Sequence, residues 1–286
     1  MSRNRTFAGR LILSSISQST CTPYFARKQH MPKFPDALST EARIKIAETR
    51  ADKLIDHVRD LYTMHEANKI VIYSKTLSSQ IPRSRAALAF NQMQRSMHLF
   101  ELIRLCALWD PCGDDRESAP TVVDLINTPE IIRKIVDDRY AKFASEPFPH
   151  DLSPTTDPTL QKLKDRWWEE ERLKRADEEA GRTHVQLINA ISHVEAVRAS
   201  PALKSMRNFR DQHIAHNLNP DRPTGGGRRP RYGEERILLR ETVKVADLLH
   251  RALNDTSFMW LDARRQARRA ARALWTRCTF DVAPSD

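Results

Sequence analysis

Glycine is scarce in this sequence and unevenly spread. Of seven in 286 residues, four fall between positions 225 and 233, and Gly181 stands alone between 114 and 224. Glycine is the residue that supplies positive-φ turns at no steric cost. A chain this poor in it does not suit Gly-rich nucleotide folds or β architectures with a turn every ten residues. Long uninterrupted helices are what remain.

The apolar spacing agrees. From Thr40, residues Ile44, Ala47, Ala51, Leu54, Val58 and Leu61 recur at three- and four-residue steps, one face of a helix that Ser39 or Thr40 can cap. A second helix is expected over about 84–110, with Phe90, Met93, Met97, Phe100, Ile103 and Ala107 on its buried side and Pro111 and Gly113 as breakers. Two short helices follow, one capped by Ser118 or Thr121, the other opened by Thr128 and Pro129. A Pro-rich loop leads to a long helix whose first half is densely charged, which reads as a solvated face laced by i,i+4 pairs. Ser200-Pro201 opens the next helix, which Asn219-Pro220 closes. A last helix is expected from about Glu234 to Cys278. "KIVIYS" is the one strand-like run, and it continues a helical stripe. The expected fold is all-α, a bundle of long helices with an inserted short-helix region.

Residues 1–38 stand apart as a basic, Ser-rich tail with no acid before Asp36. That composition fits an organellar transit segment. It also fits a disordered or non-native extension upstream of a start at Met31, which is the preferred reading. The helical domain is assigned to residues 39–280. No apolar run approaches ~18 residues, so no membrane-spanning helix is expected. Cys21, Cys106, Cys112 and Cys278 form no CxxC pair. They read as reduced thiols of a cytoplasmic protein rather than as a zinc site or disulfide framework. The formal charge of +10 favours polyanionic partners, nucleic acid first.

The chemistry concentrates in "RNFRDQHIAHNLN". Arg207, Arg210, His213 and His216 stand three residues apart, a slanting ribbon of two guanidiniums and two imidazoles on one helix. Histidine exchanges a proton near neutral pH, and arginine can hold a phosphate and the extra charge of a phosphorane-like transition state. Together these suffice for cleavage of RNA without metal or other cofactor. The competing reading is a phosphate-binding or solvated basic face. Arg228, Arg229 and Arg231, in the glycine-rich loop, extend the basic surface as candidate RNA contacts, with Tyr232 beside them. The arginines at 264, 265, 268, 269 and 272 form a further basic helix. Of Trp167 and Trp168, one ring is expected to pack on the bundle. His57, His98, His184, His193 and His250 are read as structural or surface residues.

Arg210-Asp211-Gln212-His213-Ile214-Ala215-His216 resembles the Arg-x(4–6)-His motif of the HEPN superfamily, with a polar residue after the arginine. "LCALWD" at 105–110 and "PTVVDLIN" at 120–127 make the pattern, over roughly residues 40–255, most similar to the AbiU2-like HEPN family of abortive-infection proteins. The resemblance implies a helical bundle, a homodimer with its motifs facing across the interface, and a metal-independent endoribonuclease acting as a toxin or in phage defence, with an antitoxin protein as a candidate partner. By the same resemblance His216 is the acid/base residue, Arg210 the phosphate clamp and Asp211 the group that orients them. Arg207 to His213, with Asn208 as polar residue, is a second, overlapping match. The alternatives are a non-catalytic helical dimer that binds RNA or a partner protein, and a basic DNA-binding regulator.

Overall fold

The computed structural model describes residues 34–147, 157–211 and 233–282, and among these residues the chain is helical with no strand. The helices are α1 (Thr40–Val71), α2 (Lys75–Ser78), α3 (Arg85–Ala107), α4 (Ala119–Ile126), α5 (Pro129–Ala144), α6 (Pro158–Arg198), α7 (Pro201–Arg210), α8 (Glu234–Asn254) and α9 (Trp260–Trp275). The all-α bundle with a short-helix insertion, α4 and α5, is therefore what the chain builds. The described residues form one compact unit.

Local chemistry explains the helix starts. Side chains of Ser39, Ser118, Thr128, Asp157 and Ser200 each accept a hydrogen bond from a backbone N–H of the first turn they precede. Such caps satisfy donors that have no partner within the helix. α4, α5, α6 and α7 also carry proline at their first or second position, where its missing N–H costs nothing.

α1 is the axis of the bundle. α3, α4, α5, α8 and α9 all pack against it, while α6 lies on α5, α8 and α4. Its buried stripe is Ala47, Ala51, Leu54, Val58 and Leu61, as the spacing foretold; Ile44 is only half-buried. Small alanines at 47 and 51 let neighbouring helices approach where Trp109, Leu125 and Ile126 fill the centre. Phe34 and Leu38, in the stretch the sequence assigned to the tail, pack against this core, and the Arg50 guanidinium lies 5.1 Å over the Phe34 ring. A second, smaller cluster gathers Val71, Leu77 and Phe90 with Met93, Met97, Trp275 and Phe280.

Two expectations need correction. The buried side of α3 is Phe90, Glu101, Leu102, Leu105 and Cys106, whereas Phe100 and Ala107 are exposed. The helix is turned from the purely apolar reading because Glu101 faces inward, where His65 and Asn68 bond its carboxylate. The last helix is two. α8 ends at Asn254, Asp255 adopts a left-handed φ of 55°, and α9 starts again at Trp260. Asp and Asn tolerate that conformation better than other side-chain-bearing residues. The break lets α9 turn back along α1. The Asn254 side chain holds it there through Glu48 O and Asp52.

The charged first half of α6 is solvent-facing, with Arg166–Glu170 and Gln161–Asp165 paired at i,i+4. Trp167 is exposed and Trp168 half-buried, so one ring packs and the other does not. Among the described residues no helix is long and apolar enough to cross a membrane.

Candidate active site

The end of α3 is pinned before any polar chemistry begins. Trp109 is fully buried, and its indole N–H donates to Thr242 Oγ1 on α8 at 2.8 Å. Thr242 in turn donates to Leu238 O. Burial of a ring this size with its one donor satisfied makes a rigid anchor. The next residue, Asp110, inherits that position. The loop beyond it is closed by Ser118, whose hydroxyl donates to Asp110 O at 2.9 Å, and by Ala119 N–H, which donates to Leu108 O.

α7 brings Arg210 to this point. Its Nη1 donates to Asp110 Oδ1 at 2.8 Å, and its Nε donates to Asp211 Oδ1 at 2.9 Å. The other Asp110 oxygen lies 3.4 Å from Arg116 Nη1. One carboxylate thus bridges two guanidiniums, and a second holds Arg210 from the side. Burial lowers the affinity of the Arg210 guanidinium for its proton, but the bonds from Asp110 and Asp211 outweigh it and raise the pKa. Arginine is charged at any physiological pH in either case. The aspartates fix where its fork points.

Arg207, one turn back, is treated differently. Burial lowers its pKa despite the nearby Asp110 carboxylate, and its buried Nε has no hydrogen-bond partner among the described residues. Cys106 packs beneath both arginines. Burial pushes its thiol up to about 11 although Arg210 and Arg207 pull the other way. It is a core residue rather than a nucleophile.

Next to Asp110 opens a cavity of about 370 Å³, lined by His57, Arg104, Arg116 and Glu117. His57 Nδ1 lies 3.2 Å from Arg104 Nη2 and Nε2 lies 2.6 Å from Glu117 Oε2. Arginine can only donate, so Nδ1 accepts and Nε2–H donates. Both ring nitrogens are engaged.

Of the residues singled out from sequence, Arg207, Arg210 and Asp211 lie on or directly after α7, and Arg210 meets Asp211. His213, His216, Arg228, Arg229, Arg231 and Tyr232 lie outside the described residues. Asp110 was missed as a site residue, since it sits 100 positions from Arg210. Its one sequence signal is that it closes the "ALWD" run. Among the described residues no group of three His, Cys, Asp or Glu side chains is placed to hold a metal ion.

No curated protein and no solved structure matches the chain. A family model does: the HEPN family described as AbiU2 matches residues 48–274, most of the chain, from within α1 to the end of α9. The helical bundle, the "ALWD" aspartate beside the motif arginine and this match agree, and the chain belongs to the AbiU2 family of HEPN domains.

Proposed function

We propose that this protein is a metal-independent endoribonuclease of HEPN type, acting as a homodimer in abortive infection or as a toxin. The observation that carries the reading is Arg210, aimed by two carboxylates at the end of the helix whose next residues hold His213 and His216. A guanidinium held this way keeps its Nη2 N–H groups clear of both carboxylates, which suits recognition of a phosphate.

In this mechanism His216 takes the 2′-hydroxyl proton of the target nucleotide. The oxygen attacks the adjacent phosphorus, and the P–O5′ bond breaks. The departing 5′-oxygen receives a proton from an acid, His216 of the second protomer in a two-fold arrangement. A 2′,3′-cyclic phosphate and a 5′-hydroxyl end result. Arg210 stabilises the charge gathering on the phosphoryl oxygens, with Asp211 and Asp110 holding it in place. Arg228, Arg229 and Arg231 would follow the RNA backbone.

One observation favours a second reading. Arg210 already shares two carboxylates, which is also how a structural clamp is built. A non-catalytic dimer that binds RNA or a partner protein, an antitoxin among them, would use it so.

Cleavage of labelled tRNA and mRNA in EDTA separates the two. The expected result is fragments ending in 2′,3′-cyclic phosphate, lost with His216→Ala and with Arg210→Ala. Loss with His213→Ala and not with His216→Ala moves the acid/base role to the overlapping motif. RNA bound but left intact by the wild type supports the binding module.

A further inference from the structure

A second cavity, also about 370 Å³, lies between α1, α8 and α9, and none of the described residues of the Arg210 site lines it. Tyr62, His65, Arg236, Ile237, Arg240 and Arg264 line it. Its volume lies within the ~300–1,000 Å³ of small-molecule pockets.

The wall is prepared for an anion. Arg264 Nε lies 3.4 Å from Glu66 Oε1, and Arg240 Nε donates to Glu241 Oε1 at 3.2 Å. Each of these carboxylates is shared with a lysine, Glu66 with Lys69 and Glu241 with Lys244, and Glu241 also meets His193. The carboxylates therefore orient the arginines without cancelling the positive charge. Arg236 makes no ion pair among the described residues. Glu235, beside Arg236 in the chain, is turned to Gly233 N–H and the Tyr73 hydroxyl.

Behind the arginines stands a buried dyad. His65 Nδ1 donates to Glu101 Oε1 at 2.7 Å, and Glu101 Oε2 accepts from Asn68. Glu101 is 2% exposed. Burying a carboxylate is costly unless its charge is met, and nothing in the apolar packing of α3 calls for one here. What the dyad achieves is to fix the imidazole. With Nδ1 committed, Nε2 has no partner among the described residues, and the ring borders the cavity. Tyr62 supplies an aromatic wall, itself tilted against Trp260 with ring centroids 6.1 Å apart.

We propose that this cavity binds the phosphate of a ribonucleotide, with Arg236, Arg240 and Arg264 on the phosphate oxygens, His65 Nε2 as a further ligand, and Tyr62 against the base. Guanidiniums recognise phosphate bidentately, and an aromatic face accepts any base. The phosphate comes either from a free nucleotide or from an RNA chain. The proposal does not depend on cleavage at Arg210.

Equilibrium dialysis of the full chain against adenosine 5′-monophosphate, adenosine and a hexa-adenylate tests it. The nucleotide is expected to bind at least ten-fold more tightly than adenosine. The surface variant Arg236→Glu/Arg240→Glu should weaken the nucleotide ten-fold or more, as should His65→Gln if it folds. The equally charged control Arg268→Glu/Arg269→Glu should leave it unchanged. Displacement of the nucleotide by hexa-adenylate identifies RNA as the source, and its absence identifies a free nucleotide. Equal binding of nucleotide and nucleoside, no binding of the nucleotide, or an unaffected Arg236→Glu/Arg240→Glu variant overturns the proposal.

Discussion

His57 and His65 stand eight residues apart on α1, and each bonds a glutamate of the α3 region or its following loop. The two sites nonetheless differ in kind. At His57 the partner Glu117 is nearly half exposed, and Arg104 occupies the other ring nitrogen. At His65 the partner Glu101 is buried, Asn68 completes it, and the second ring nitrogen is left over. The first arrangement ties a loop to a helix at the surface. The second sinks a charge into a helix interface and keeps a ligand atom in reserve. Two His–Glu pairs of similar length thus carry different energetic weight, because solvent screens one and not the other.

The sharpest way to break that comparison is to remove each carboxylate. Glu101→Ala is expected to cost about 3–5 kcal/mol in urea unfolding, since it strands His65 and the Asn68 amide in a buried site. Glu117→Ala should cost less than about 1 kcal/mol. Similar losses for the two would erase the distinction.

The core beneath Arg210 offers a pH test. Burial holds the Cys106 thiol near 11 in the folded chain, against 9.0 when unfolded. Below pH 9 both states are protonated and nothing is gained or lost. Between pH 9 and 11 the unfolded state ionises first, so it binds fewer protons and stability falls, by up to about 3 kcal/mol. Unfolding free energies measured across that range should decline more steeply in the wild type than in Cys106→Ala. Asp110→Ala comes next, at about 2 kcal/mol, because it removes charge-assisted bonds to a half-buried Arg210. Its signature is loss of RNA cleavage out of proportion to its loss of stability. The smallest effect belongs to Arg166→Ala on the solvated half of α6. That change should alter stability by no more than roughly 0.5 kcal/mol in the same urea assay.

What the sequence made legible was what apolar spacing and caps encode locally. The α1 stripe, the serine and threonine starts and the two short helices could be read because each signal lies within one or two turns. The α3 face could not, since a glutamate at a core position becomes sensible only with His65 and Asn68 beside it, more than thirty residues away. The α8–α9 break carries no glycine or proline; it rests on one aspartate in a left-handed conformation and on Asn254 reaching Asp52. In the site, Arg210 and Asp211 were visible as neighbours in a motif. Asp110 was not, because its partnership with Arg210 is made entirely by tertiary packing around Trp109.

α1 is one uninterrupted rod of 32 residues. At ~1.5 Å per residue, the His57 and His65 stations are set about 12 Å apart along it and rotated by about 80°. No loop intervenes between them, and the stripe from Ala47 to Leu61 is buried in the core. The helix therefore behaves as a fixed gauge between the loop beside Asp110 and the arginine-lined cavity.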